Sequence, residues 1–488
     1  MSESKASLQS LRNAGSLLFA LQESLQQAVV VLEDSLLPFE FGRGLSSIPD
    51  EVLSIIFEYV YRCHPPYLRS PPLLWLSLVC RRFRNVISSN PLLWNKITLS
   101  SRISTDKVNR FLEKSKAVGL ELNLRCTCPS RRPILDGSLH QLSNALLHTA
   151  RWEFLGVDLT GHNLEDFGQE FGLLCALRLP RLRSLSIVYP FINLIPHKHF
   201  YKSCELPMLR CLHIEQEVPE PFTSPILTTF SIRLISNRFA ANNLLDFLSA
   251  TPTLEDIHIS LSRTSVHWPG AYKDVVLENV KTFKLTLGSA HLGRLYPFRR
   301  AIHTPNVKRI DLEVKWDFWQ PQGEDSDDDS EDDEDEWQRG NWKDAFGPDE
   351  CLKLILCHES YPHLEHFYYG YRRVDAKRYY EIPFQKMPRL RVLELRTTGA
   401  FPIMGWQLHM MEPRPPLREI RLYWDSYGER GWEEWLRNIY QLIVNVRPWG
   451  APSDFDSLFI NYYDENSGSI HRLFSKQIVW SYQRDRSA

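Results

Sequence analysis

Leu179-Pro180-Arg181-Leu182-Arg183-Ser184-Leu185-Ser186-Ile187 decides the fold, because the same pattern returns along the chain. It recurs as Leu206-Pro207-Met208-Leu209-Arg210-Cys211-Leu212-His213-Ile214 and as Thr251-Pro252-Thr253-Leu254-Glu255-Asp256-Ile257-His258-Ile259. Further copies start at Pro225, Pro305, Pro362, Pro388 and Pro415, and a degenerate copy has Glu278 in the proline position. The steps are 27, 18, 27, 26, 27, 57, 26 and 27 residues, and six of the eight are 26 or 27, which scattered prolines would not produce. Weaker copies precede them at Val118-Gly119-Leu120-Glu121-Leu122 and at Arg151-Trp152 through Val157. Alternating apolar residues after each proline predict a short strand with one face buried. Helical spacing between strands is clearest in Leu244-Leu245-Asp246-Phe247-Leu248, which Pro252 closes.

Each unit would leave an apolar face that only its neighbours can cover, so the units are expected to stack. A Leu-x-x-Leu-x-Leu pattern once per 20 to 29 residues resembles the leucine-rich repeat. The resemblance runs over about residues 100–470 and lacks the stacking Asn of many such repeats, which implies irregular turns. It implies a curved solenoid with a parallel sheet on the concave side and helices outside.

In that frame the middle outward row is Ser186, His213, Ser231, His258, Lys284, Asp311, Tyr368, Glu394 and Arg421. The next is Val188, Glu215, Arg233, Ser260, Thr286, Glu313, Gly370, Arg396 and Tyr423. Tyr368, Glu394, Arg396, Arg421, Tyr423 and Trp424 gather residue types enriched at protein-protein hot spots, so they are the candidate substrate contacts. Solubility alone also places polar residues on a wet face.

Upstream, Leu45-Ser-Ser-Ile48-Pro49-Asp50-Glu51-Val52-Leu53 runs on to Ile55-Ile56-Phe57 and Tyr59-Val60. Ser47 is the expected N-cap, with Pro49 in the first turn and Asp50 and Glu51 at the positive dipole end. A loop holding Pro65, Pro66, Pro71 and Pro72 leads to a second helical pattern from Leu74 to Ile87, and Asn90-Pro91-Leu92-Leu93-Trp94 restarts the chain. About fifty residues cannot hide so much apolar surface internally, and such a surplus marks an interface. The three blocks, in this order and spacing, resemble an F-box, the helical module by which substrate receptors dock onto the Skp-type adaptor of cullin-RING ubiquitin ligases. The proline-rich loop is longer than in many F-boxes, and Phe83 stands where many members have Trp. By resemblance, Leu45, Ile48, Pro49, Leu53, Ile56, Phe57, Leu76, Val79 and Cys80 supply the adaptor face or the core behind it. F-box plus leucine-rich repeats, with this Trp-rich composition, also resembles a large set of proteins of mushroom-forming fungi.

The expected fold class is α/β, a small all-α F-box followed by an irregular leucine-rich-repeat solenoid. The expected domains are an N-terminal amphipathic helix (1–40), the F-box (41–99) and the repeat domain (100–488), which carries an acidic disordered insertion (320–345). Leu11, Leu18, Leu25 and Leu32 fall every seven residues with Ala14, Leu21 and Ala28 between them, and three heptads suit a helix lying on its own protein better than a coiled coil. Eleven of the thirteen residues from Glu324 to Glu336 are acidic, so the formal charge of −2 hides +9 elsewhere. That run is expected to stay solvated, and Ser326 and Ser330 within it resemble acidophilic-kinase sites. A charge of +9 spread over the rest of the chain is too dilute for a dedicated nucleic-acid binder.

Nine scattered cysteines argue against a disulfide framework and for a reducing cytoplasm or nucleus. Cys126-Thr127-Cys128 lacks a second ligand pair for zinc. No apolar run reaches membrane-spanning length. No nucleophile elbow, phosphate loop or His-Glu-x-x-His is present. His363-Leu364-Glu365-His366 falls in the repeat frame with Leu364 in the core, so it is not expected to bind metal. No cofactor is expected. The partners expected are a Skp-type adaptor, through it a cullin, and a protein substrate, with neither nucleic acid nor membrane. Two alternatives remain open, a leucine-rich scaffold without ligase function and an acidic-run binder of histones or other basic proteins.

Overall fold

The computed structural model describes residues 21, 23–27, 31, 47–63, 70–100, 103–125, 135–158, 177–188, 204–216, 218–222, 224–234, 239–262, 266–267, 273–288, 292–315, 348–358, 360–372, 379–397, 401–403, 416–426, 457–464, 469–473 and 481–483. The acidic run, Cys126, Cys128 and Leu45 lie outside the described residues, as does most of the N-terminal heptad pattern. Within that pattern residues 21, 23–27 and 31 are helical, and Leu21, Leu25 and Val31 are exposed. The chain divides into two compact units, Met1–Lys96 with Arg110–Val118, and Ile97–Asn109 with Gly119–Ala488.

In the first unit α1 (Asp50–Cys63), α2 (Ser70–Val79) and α3 (Arg81–Ser89) are followed by a 3-10 turn, Pro91–Leu93. Leu53, Phe57 and Tyr61 of α1 recur every four residues and are buried with Leu73, Phe83, Val86, Ile87 and Leu93. Phe57 and Phe83 meet edge to face, with ring centroids 4.9 Å apart. Phe83 thus fills its place in the core with a large ring.

Three boundaries differ from the sequence reading. The carbonyl of Pro49 accepts the first helical bonds of α1, from the amides of Val52 (3.1 Å) and Leu53 (3.0 Å), so the helix opens two residues beyond the expected Ser47 cap. Pro71 and Pro72 belong to the first turn of α2, where amides have no intrahelical acceptor and proline is tolerated. The pattern from Leu74 to Ile87 is two helices rather than one. Cys80 is extended (φ −157°, ψ 168°), and its Sγ accepts from the amide of Phe83 at 3.5 Å as the N-cap of α3.

The second unit is built on one 15-stranded sheet. Its first twelve strands succeed one another in chain order. They are β1 (Lys96–Leu99), β2 (Leu120–Arg125), β3 (Trp152–Asp158), β4 (Ser184–Val188), β5 (Cys211–Glu215), β6 (Thr229–Leu234), β8 (Asp256–Leu261), β11 (Thr282–Leu287), β13 (Arg309–Lys315), β14 (His366–Arg372), β16 (Val392–Thr397) and β18 (Glu419–Ser426). β19 (Ser457–Asp464) pairs parallel with β18, and β20 (Ser469–Leu473) and β21 (Ser481–Gln483) close the order antiparallel. Three parallel two-stranded pairs stand apart, β7 (Phe239–Ala240) with β9 (Val266–His267), β10 (Val275–Val276) with β12 (Ile302–His303), and β15 (Tyr379–Glu381) with β17 (Phe401–Ile403). Helices fall between strands at α4 (Thr105–Lys114, of which the residues from Arg110 belong to the first unit), α5 (Leu135–Leu146), α6 (Ala241–Ala250), α7 (Leu292–Arg300) and α8 (Pro348–Ile355).

Register carries the repeat. Leu185, Leu212, Phe230, Ile257, Phe283, Ile310, Phe367 and Leu393 are paired in succession from β4 to β16. Each is almost fully buried, as is the residue two places on, from Ile187 through Leu395. The residue two after each proline, Leu182, Leu209, Leu227, Leu254, Val307, Leu364, Leu390 and Leu417, forms a third buried row. The backbone repeats as well. The carbonyls of Arg210, Thr228, Glu255, Lys281, Lys308, Glu365 and Arg391 each accept from two successive amides of the next repeat, for example Lys281 from Lys308 (2.8 Å) and Arg309 (2.9 Å).

Side-chain hydrogen bonds also tie one repeat to the one before it. Thr253 Oγ1 donates to Leu227 O (2.7 Å), Asn279 Nδ2 to Pro252 O (2.9 Å) and Asn306 Nδ2 to Glu278 O (2.8 Å). The step of 57 residues leaves β13 and β14 paired directly over seven positions.

Two substitutions separate the rows. Leu212→Ala is expected to cost about 2 to 5 kcal/mol through a cavity, whereas Ser186→Ala should stay within about 0.5 kcal/mol. Thermal melts of the two variants check this.

Candidate functional site

The first unit turns a second apolar stripe outward. On α1, Val52, Ile55, Ile56 and Tyr59 occupy the face opposite Leu53, Phe57 and Tyr61. On α2, which packs against α1, Leu74, Trp75, Leu78 and Val79 do the same. These eight side chains are between 42% and 71% exposed, behind a core that is already complete. Removing one of them fully from water contributes about 1.5 to 3 kcal/mol, and contiguous exposed apolar surface of this kind is a general mark of interaction sites.

Polar struts fix the helices beneath it. The Arg82 guanidinium pairs with Asp50 at 2.7 Å and donates to the Ile48 carbonyl, which pins the start of α1 to α3. Asn90 accepts from the Leu92 amide (2.9 Å), capping the 3-10 turn, and its amide donates to Ser54 and to Glu58 (2.9 Å) on α1. Trp94 Nε1 donates to Ile87 O at 2.7 Å.

The adaptor-face residues expected from the sequence divide among three places. Leu53 and Phe57 are core, Ile48 and Leu76 are partly buried against that core, and Pro49, Ile56, Val79 and Cys80 are exposed. Val52, Ile55, Tyr59, Leu74, Trp75 and Leu78 join the exposed stripe without having been expected there. Their signal lay in the spacing, since they complement the buried i, i+4, i+8 set of α1 and flank the buried Leu73 of α2.

In the second unit the outward rows align residue by residue. Ser186, His213, Ser231, His258, Lys284, Asp311, Tyr368, Glu394 and Arg421 are successive partners across β4 to β18. Glu313, Gly370, Arg396 and Tyr423 run beside them. Trp424 is in register with Thr397, and its side chain lies outside the described residues. Tyr368 lies across its own strand over Gly370, where a Cβ would come within 2.5 Å of the phenol oxygen.

Toward β18 the charges are interlocked. Arg421 is held by Glu419 (2.7 Å) and Glu394 (3.5 Å), and His366 Nε2 lies 3.3 Å from Glu394. Burial would raise the Glu394 carboxyl, but the hydrogen bond and charge of His366 with the charges of Arg421 and Arg309 outweigh it and hold it below its ordinary value. The Glu419 hydrogen bond raises Arg421 further. Burial, followed by the Glu394 charge, raises the Tyr423 hydroxyl.

Toward β8 the hydrogen-bond partners of the central histidine are hydroxyls. His258 lies between Ser231 Oγ (3.4 Å) and Thr286 Oγ1 (3.2 Å), and burial, then the charges of Lys284 and His213, push its imidazole down to about 4. His363 is exposed and Leu364 buried, and no metal-ligating cluster occurs among the described residues. No helix among them is long and apolar enough to cross a membrane.

Residues 45–100 match the family model described as F-box-like, so this part of the chain is an F-box-like domain. No curated protein matches the chain.

Two outcomes follow from the geometry. Asn90→Ala breaks both the cap and the strut to α1 and is expected to cost about 1 to 2 kcal/mol, read as a lowered denaturation midpoint. Because the Glu394 carboxyl lies below its ordinary value, it stabilises the fold above that value and loses this contribution as pH falls through the folded one. Acid titration of Glu394→Gln should therefore show a shallower loss of stability below about pH 4.5 than the wild type.

Proposed function

We propose that the chain is the substrate-recognition subunit of an SCF-type, cullin-RING ubiquitin ligase. The observation that carries this reading is the set of eight exposed apolar side chains on α1 and α2, standing over a complete core in the segment that matches an F-box-like family. A helical module of that kind docks a Skp-type adaptor, and through it a cullin. The second unit then serves as a leucine-rich-repeat solenoid that holds a protein substrate. The 26 to 27 residue period and the three buried rows support that assignment. Tyr368, Glu394, Arg396, Arg421, Tyr423 and Trp424 are the substrate contacts in this reading, and Leu45 completes the adaptor face. The protein performs no bond chemistry itself, and binding brings substrate lysines close to a ubiquitin-conjugating enzyme. The cytoplasm and nucleus, where such ligases work, are its compartments.

The exposed residues test adaptor docking better than the half-buried Ile48, because changing them leaves the core intact. Ile55→Asp with Leu78→Asp should abolish co-purification of a Skp-type adaptor while the melting temperature changes little. Undiminished adaptor in the pull-down would place the docking face elsewhere.

A further inference from the structure

Arg299, near the end of α7, is 1% exposed, and a guanidinium keeps its charge even when buried. Its Nη1 donates to Ile302 O at 2.7 Å, and its guanidinium carbon lies 4.6 Å from the centre of the Phe283 ring. Nε and Nη2 are buried without a hydrogen-bond partner, and among the described residues no carboxylate forms an ion pair with this side chain. His358, just beyond α8, is placed against it. Its Nε2 lies 2.9 Å from the same Ile302 carbonyl and 3.3 Å from Arg299 Nη1. One ring nitrogen cannot both donate to the carbonyl and accept from the guanidinium. The His303 ring lies 4.6 Å from that of His358, centre to centre.

We infer that Arg299, His303 and His358 form an acid-sensitive latch, which fastens the chain following residue 347 to the repeat before it and opens when a second positive charge is added. Among the described residues, the groups around His358 offer that charge nothing to neutralise it, and Glu359, next in the chain, lies outside them. Arg299 comes from α7 and His303 from β12. Lys386 arrives from the turn Phe384–Lys386, with its Nζ on Leu356 O at 2.7 Å, and Cys357 and Tyr361 come from the chain beside His358. The Tyr361 hydroxyl donates to Ile355 O at 2.9 Å and stays protonated, pushed up to about 12 by burial. Among the described residues the carboxylate on this side is Asp274, which lies beyond His303 at 3.7 Å and is mostly exposed. Burial lowers the His358 imidazole, the Ile302 hydrogen bond opposes this, and the charges of Arg299, His303 and Lys386 lower it further. A histidine lowered in the folded state gives its full stabilisation above the ordinary imidazole value of about 6.5, and that stabilisation drains away as pH falls below it.

Hydrogen-deuterium exchange of the full chain at pH 7.5 and 5.5, compared as protection factors, tests the latch. In the wild type, peptides covering 292–303 and 348–361 should lose protection on acidification, while peptides covering β5 to β8 keep theirs. His358→Gln, whose amide can still donate to Ile302 O but cannot titrate, should lose none. Arg299→Met, which removes the fixed charge, should lose less than the wild type. Equal loss in the wild type and His358→Gln would overturn the inference. So would unchanged protection in the wild type, or a loss spread evenly over the sheet. If His358→Gln fails to fold, a loss in Arg299→Met as large as that in the wild type overturns it as well.

Discussion

A strand of five or six residues cannot cover its own apolar side chains, and in this protein the repeats on either side and the helices between strands cover them. Leu212 is buried because Leu185 and Phe230 flank it in register, and the same holds from β4 to β16. A one-residue slip would move the whole apolar set to the wet face. Register is therefore what the sequence must preserve, and connection length is secondary, since lengthening a loop costs little closure entropy. This is why 57 residues between two repeat prolines disturb nothing in the pairing of β13 with β14, and why 18 between Pro207 and Pro225 is equally acceptable.

The first unit solves the opposite problem. Its three short helices make one small core, and once eight residues have filled it the remaining apolar side chains have nowhere to go. Arg82 and Asn90 hold the helices so that Ile55, Tyr59, Trp75 and Leu78 stay outside rather than collapsing inward. Exposed apolar area on a rigid support favours partner binding because little ordering entropy remains to be lost on association.

The strand rows were legible in the sequence because alternation has a period of two and a proline marks each start, so even the degenerate copy at Glu278 placed Phe283 and Leu285 correctly. Less legible was how far the strands run. Leu261, Leu287, Val314 and Tyr371 form a further buried row past the repeated motif, and only packing against neighbours reveals them. The break at Cys80 is hidden in the sequence because Leu74 to Ile87 keeps helical spacing through it and cysteine is an uncommon cap. Separating Leu53 and Phe57 from Ile55 and Tyr59 depends on which face of α1 meets α3, and spacing alone leaves that open. The interlocked charges around Glu394 and the seat of Tyr368 over Gly370 depend on cross-strand distances that no single strand contains.

If the apolar stripe of α1 and α2 is a docking surface for a Skp-type adaptor, binding must remove that stripe from water. Titration calorimetry of purified adaptor into the full chain at several temperatures tests this most directly, since burial of apolar surface gives a negative heat-capacity change. One adaptor is expected to bind per chain, with the heat of binding growing more exothermic as temperature rises. Absence of binding, or binding with no heat-capacity change, would contradict the assignment of that stripe to the adaptor.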